Sequence, residues 1–191
     1  MATEGVPEPI VGVAGFTSGS TSEQIEIHRL RPPEAHEELD ALATVLFDCV
    51  SGGASVSYME PFSREQARTA FEGFAAESEQ GILAAFGGGE IVGTVQVILA
   101  LPPNQPHRGE IAKLLVLRSA RRRGIATLLM ERAEAEARAE GKSLLVLDTV
   151  TGDAAERLYE RLGWNRVGVI PGYALYPDGR PCDTTVFWKS L

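Results

Sequence analysis

The chain has 191 residues, of which 44% are hydrophobic and 23% charged, and its formal net charge is −8. This balance suits one soluble domain with a core of its own, and the acidic surplus excludes a general binder of nucleic acid or of an anionic membrane surface. Cys49 and Cys182 match no metal or redox spacing, His28, His36 and His107 form no ligand motif, and no apolar run reaches membrane-spanning length. The expected setting is therefore a reducing cytoplasm, with no metal, and the acidic N-terminus lacks the basic region of a signal peptide.

Residues 1–23 are rich in Gly, Ser, Thr and Pro without sustained periodicity and read as a flexible tail, leaving 24–191 as a single domain. Gln24–Leu30 alternates Ile25 and Ile27 with Glu26 and His28, the pattern of a half-buried strand. Pro32-Pro33 opens a helix over roughly 34–50 with Leu39, Leu42, Ala43, Leu46 and Phe47 on one face. A Gly- and Ser-rich loop, 51–59, precedes a second helix over 64–80 that Gly81 is expected to end. Strands at 82–86 and 91–101 meet across Gly87-Gly88-Gly89, a hairpin signal. A proline-containing loop over 102–109 leads to an apolar strand at 110–117. The helix that follows starts at Ile125 and stops near Gly141. Residues 143–150 form an almost wholly apolar strand, as a parallel strand covered on both faces requires. A short helix at 153–162, a strand at 166–170, a turn-rich loop at 171–181 and a closing strand at 184–188 complete the chain. The strand-helix-strand crossover in the middle implies a parallel pair, 110–117 beside 143–150, and the flanking hairpins imply antiparallel neighbours. The expected fold class is α/β, a mixed, mostly antiparallel sheet with a central parallel pair and helices on both faces.

Chemistry concentrates between the central strand and the helix after it. Arg121-Arg122-Arg123-Gly124-Ile125-Ala126-Thr127 combines positive charge with small residues at a helix start. There unpaired amides and the helix dipole favour a phosphate. It is neither a Walker loop nor a dinucleotide fingerprint. Two carboxylates lie at the ends of the parallel strands, Glu110 at the start of one and Asp148 at the end of the other. Burial or a like charge would raise either toward the range of a useful base. Tyr159 sits beside Ala155, Leu158 and Leu162 at helical spacing.

Arg121-x-x-Gly124-x-Ala126, after a Val-bearing strand and before an amphipathic helix, resembles the pyrophosphate loop of the GCN5-related N-acetyltransferases. Ala155-x-x-Leu158-Tyr159-x-x-x-Gly163-Trp164 resembles a second signature of that family. The sequence departs from the family pattern at Arg118, where a proline is frequent, and at Gly152, where an asparagine is usual. The resemblance implies the acyl-CoA N-acyltransferase fold, acetyl-CoA as co-substrate and a small-molecule amine as acceptor, in a monomer or homodimer. It implies main-chain contacts to the pantetheine arm from Leu115, Val116 and Leu117, pyrophosphate contacts from residues 121–127, and a further cofactor contact at Ala155. It makes Tyr159 the general acid, with Glu110 and Asp148 as base candidates.

Gly52-Gly53-Ala54-Ser55-Val56, Lys113-Leu114, Leu147-Asp148-Thr149, Pro171-Gly172-Tyr173 and Pro177-Asp178-Gly179-Arg180 are similar to a narrower group within the family. That group confers tabtoxin resistance by acetylating an amino-acid toxin that contains a β-lactam. The similarity places acceptor recognition at Ser55, Ser57, Tyr58 and Tyr173. Neither cysteine lies in a nucleophile setting, so direct attack in a ternary complex is expected in place of an acetyl-enzyme. The competing expectations are a silent acyl-CoA sensor and a protein N-terminal acetyltransferase.

Overall fold

The computed structural model describes residues 10–12, 24–76, 80–99 and 101–191. Their strands form one sheet. β1 (Ile10–Gly12) and β2 (Ile25–Leu30) lie at one edge, followed by β3 (Gln80–Gly87), β4 (Glu90–Ile98), β5 (Arg108–Val116) and β6 (Leu144–Val150). Then β8 (Pro181–Ser190) inserts between β6 and β7 (Asn165–Leu175), which forms the other edge. Among the described residues, the pairing is antiparallel throughout except between β5 and β6. The expected mixed sheet with a central parallel pair is therefore present.

Helices cover both faces. On one, α1 (Pro32–Glu37), α2 (Leu39–Ser51) and α3 (Arg64–Ala76) bury Leu42, Leu46 and Phe71 against Ile82 and Ala84. On the other, α4 (Ile125–Ala139) and α5 (Ala154–Arg161) bury Leu129, Met130 and Tyr159 against Val95, Val97, Leu145 and Phe187. The alternation along β3 and β4 sends successive side chains to these two cores. Full burial of each aliphatic side chain stabilises by about 1.5–3 kcal/mol. The far half of α4 is also held by charge. Glu134 accepts hydrogen bonds from Trp164 at 3.1 Å and from Lys189 at 2.7 Å, and the Arg132–Glu136 pair closes at 2.6 Å.

Several boundaries differ from expectation, each for a local reason. The helix expected over 34–50 is two helices, because Glu38 leaves helical geometry and its N–H closes α1 on the Glu34 carbonyl. The second expected helix ends at Ala76, and Gly81 lies inside β3 opposite Val97 instead of terminating a helix. The loop expected over 171–181 contracts to the turn between β7 and β8. Pro171 and Gly172 sit within a register shift of β7 between Ile170 and Ala174. An edge strand tolerates a proline there, because its missing N–H costs no ladder bond. Within the expected tail, Ile10–Gly12 pairs with β2 as a short edge strand. The remainder of that segment lies outside the described residues.

Candidate active site

The site forms where β5 and β6 separate. They pair only at Arg108↔Leu144, Gly109↔Leu145 and Glu110↔Val146, although β5 continues to Val116 and β6 to Val150. At the junction the strands are tight: a Cβ on Gly109 would stand 2.9 Å from a Leu145 methyl. Beyond it, β5 carries one extra residue. Between Gln96↔Ala112 and Thr94↔Leu115, β4 advances from 96 to 94 while β5 advances from 112 to 115. Lys113, at φ 51, lies in this bulge. A bulge bends its strand and increases the local twist, so β5 turns away from β6. The sheet opens toward the carboxyl ends of the parallel strands, where α/β sites collect.

The loop ahead of α4 closes one end of the split. Asp48 on α2 accepts from the Arg118 backbone N–H at 2.8 Å and from its Nε at 2.9 Å. Burial works to raise the Asp48 carboxyl, but these bonds hold it below the usual carboxylate range. Arg121 turns back onto the strand, its Nε donating to the Val116 carbonyl at 3.3 Å. Arg122 is exposed at φ 63 and Arg123 is half-buried. Gly124 is the N-cap of α4 at φ 78 and, having no side chain, makes no cap bond to the first amides. A Cβ there would meet nothing within 4 Å among the described residues, so that side of Gly124 is open. These amides have no intrahelical partner, and the dipole makes the position attractive to an anion. Ile125 is buried in the core, which restricts its contribution to the main chain; Ala126 and Thr127 are half-buried.

The wall formed by β5 is narrower than expected. Leu117 N–H donates to the Val92 carbonyl at 2.9 Å. In an antiparallel ladder this turns the main chain of Leu117 and Leu115 toward β4 and that of Val116 toward the split. Of the three residues expected to offer backbone, Val116 is the one turned away from β4; its carbonyl already accepts from Arg121 Nε and Cys49 Sγ, which leaves its amide.

Glu110 and Asp148 flank the split on the same face. Glu110 is the last residue of β5 paired with β6, opposite Val146, and Asp148 follows Val146 by two. Glu110 is partly exposed and lies 3.7 Å from Arg108. Asp148 lies beyond the last β5–β6 pair and is exposed, yet the surrounding protein desolvates its carboxyl and raises its pKa, against the opposing charge of Lys113. Tyr159 comes to the split from the opposite face. It is 5% exposed, with its ring 6.0 Å from Trp164 and 5.9 Å from Phe187. Burial, and then the Asp148 charge, push its phenol well above the ordinary value, so it stays protonated across the neutral range. Ala155 packs at the edge of the same core.

The start of α5 is occupied by the protein's own groups. Gly152, where an asparagine is usual, gives its N–H to the Glu156 carboxylate, and the Thr151 hydroxyl is 2.8 Å from that of Thr185.

The residues expected to read the acceptor fall into two sets. Ser55 is committed to structure, its hydroxyl donating to the Leu175 carbonyl at 2.7 Å. With the Glu60 N–H bonded to the Pro177 carbonyl at 2.9 Å, this joins the 51–62 loop to the β7–β8 turn. Ser57 and Tyr58 line an open groove of about 810 Å³ with Met59, Phe62, Glu65 and Thr69. Tyr173 is 57% exposed on the edge strand β7. One residue absent from the expected set is Lys113, whose Nζ donates to Ser57 Oγ at 3.1 Å. A lone lysine inside the otherwise apolar Ile111–Val116 run was the available signal.

Over residues 47–164 the chain matches the model of the acetyltransferase (GNAT) family. Among solved structures it is similar to the ribosomal-protein-alanine N-acetyltransferase of Brucella melitensis, at 22% identity over 86% of this chain and 99% of that one, TM-score 0.72. It is similar to yncA of Salmonella typhimurium, an acetyltransferase by description and solved with its cofactor acetyl-CoA, at 18% identity over 87% and 94%, TM-score 0.71. A third neighbour, described as a phosphinothricin N-acetyltransferase, shares 18% identity over 87% and 98%, TM-score 0.74. At these identities the likeness is one of fold.

Proposed function

Because the chain belongs to the acetyltransferase (GNAT) family, with acetyl-CoA as its acyl donor, we propose that it acetylates the primary amine of a small amino-acid-like acceptor, a toxin or antibiotic of that kind, by direct attack with both substrates bound. The observation that carries this reading is the split itself. Support comes from the uncapped start of α4, which follows β5 in the chain, and from the Asp148 charge bearing on the buried Tyr159 phenol. These residues fit the donor. The α4 amides and the Arg122 and Arg123 side chains would hold its pyrophosphate, and Val116 would present main chain to its arm. When bound, acetyl-CoA supplies the thioester carbonyl and the thiol leaving group.

The protein's part is proton management. Asp148 takes the proton of the acceptor ammonium, a task suited to a carboxylate raised toward neutrality. Glu110 remains tied to Arg108 and adds negative potential for a cationic amine. Tyr159 Oη gives the departing sulfur its proton and is reprotonated by the second proton that the nitrogen sheds as the amide forms. The two groups are coupled: once Asp148 is protonated, the charge that helps hold the phenol up is gone. Tyr159 therefore becomes a stronger acid at the stage when its proton is needed.

Direct attack is supported by the cysteines. Burial raises the Cys49 thiol, and Cys182 is buried against Ser55 at 3.6 Å. Cys49 is thus not a thiolate poised to carry an acyl group, and two buried free cysteines suit a reducing cytoplasm. The 51–62 loop is tied to the β7–β8 turn, which holds Ser57 and Tyr58 in place beside the groove. An acetyl-CoA thiol-release assay across amino acids, toxin analogues, polyamines and peptides tests the reading. Turnover of a small amine supports it. Turnover of peptides alone points to N-terminal acetylation, and tight acetyl-CoA binding without turnover of any amine points to a sensor.

A further inference from the structure

Lys113 is costly where it stands. It is a lysine in an apolar central strand, and its backbone takes the left-handed conformation that costs a non-glycine residue about 1–2 kcal/mol. Desolvation lowers its ammonium, against the opposing charge of Asp148. An ammonium has three donors. Among the described residues, one of these is engaged, by the neutral Ser57 hydroxyl at 3.1 Å. Lys113 and Asp148 each feel the other's charge across the split, yet they do not close into an ion pair.

A second donor points the same way. Gln96 on β4 is 2% exposed, and its Nε2 has no hydrogen-bond partner among the described residues. Gln96 stands opposite Ala112, the residue before Lys113, and opposite Ile82, which packs under α2 and α3. It therefore lies on the sheet face that carries the 51–62 loop and Ser57. A desolvated cation and a buried amide donor one strand apart ask for an anion. The groove that opens at Ser57 adds the opposite sign, with Glu60 and Glu65 along its lining.

We propose that Lys113, held by Ser57 at the β5 bulge, is the residue that binds the carboxylate of the acceptor while the acceptor's amine faces Asp148. The split then selects a zwitterion: opposite charges on the protein stand apart, and the acceptor bridges them. This rests on the acetyltransferase reading above and adds to it a residue that decides which amines are accepted.

The test uses the full chain, acetyl-CoA and a panel of the twenty free L-amino acids, phosphinothricin and tabtoxin. The α-carboxamide of each acceptor that is turned over is then measured. The wild-type protein should prefer an acid to its carboxamide by at least about tenfold in kcat/KM, an ion-pair-sized difference of about 1.4 kcal/mol. Lys113→Met should abolish that preference by raising KM for the acid, with KM for the carboxamide little changed. Lys113→Arg should restore part of it. Ser57→Ala, at an exposed position, should weaken it in the same direction, which keeps the test open if Lys113→Met folds poorly.

Equal treatment of acid and carboxamide by the wild type overturns the proposal. So does an equal loss on both in Lys113→Met, or turnover of no amine in the panel. Calorimetry separates the two levels: absence of acetyl-CoA binding by the wild type would instead remove the acetyltransferase reading beneath it.

Discussion

Tyr159→Phe isolates a single hydroxyl. The ring is 5% exposed and packs between Trp164 and Phe187, and phenylalanine preserves those contacts. The stability change should therefore stay within about 1.5 kcal/mol, the net size of one hydrogen bond. Tyr159→Ala, by contrast, would open a cavity worth about 3–5 kcal/mol and confound any rate effect. If the phenol supplies the proton to the departing sulfur, its loss should lower kcat by about 10²–10⁴-fold. That corresponds to about 2.7–5.4 kcal/mol of barrier. Burial keeps the proton on the oxygen throughout the neutral range, so the loss should be of similar size wherever the enzyme is assayed there. Initial rates of thiol release measure kcat, a thermal melt verifies the fold, and calorimetry verifies that acetyl-CoA binding is retained. Turnover within about threefold of wild type, in a variant that melts normally, would refute the acid role and leave Tyr159 as a packing residue.

Three further outcomes are expected. In Asp148→Asn the removal of one cause of the raised phenol should lower the Tyr159 pKa in an absorbance titration; an unchanged titration would break the proposed coupling. In the wild type, the acidic limb of the kcat/KM profile should lie above the ordinary carboxylate range, and Lys113→Met, by removing an opposing cation, should move it higher still. The third concerns stability. Hydrogen bonds from the Gly152 N–H and then Thr185, with the Arg166 charge, hold the Glu156 carboxyl below its ordinary value despite burial. A carboxyl lowered on folding contributes stability that is full above its unfolded value of about 4.5 and is lost as pH falls through the folded one. Glu156→Gln should cost about 1–3 kcal/mol near neutrality in urea unfolding, and this gap should shrink as pH drops below about 4.5. A gap independent of pH would mean that the charge plays no part.

What the sequence made legible was mostly local. The strand-turn-helix over 110–141 could be read from apolar spacing and a glycine at the helix start, because a buried strand and an amphipathic helix each write their period into neighbouring residues. The same holds for Tyr159, which lies on a helix of clear amphipathicity. The break at Glu38 was hidden, since Leu39 and Leu42 continue the helical stripe across it. The continuation of β7 through Pro171-Gly172 was hidden because those residues usually mark a turn, whereas an edge strand absorbs them as a register shift. The split is a tertiary event: it depends on one extra residue in β5 relative to β4, which no window along β5 alone reveals. For that reason Lys113 was legible as a charge in an apolar strand but not as a side chain aimed at Ser57. Ser55, in the same loop, is expected at the acceptor from the sequence, and the bond of its hydroxyl to the Leu175 carbonyl is a tertiary contact that the sequence does not show.

The uncapped start of α4 is the proposed seat of the donor's diphosphate, and titration calorimetry with acetyl-CoA tests this most directly. Gly124 has room before it and a left-handed backbone, so Gly124→Glu places bulk and negative charge where the phosphates would sit. The wild type should bind acetyl-CoA, and Gly124→Glu, folded by thermal melt, should bind at least about 100-fold more weakly, a loss of about 2.7 kcal/mol. Binding by the folded variant within about threefold of the wild type would contradict it.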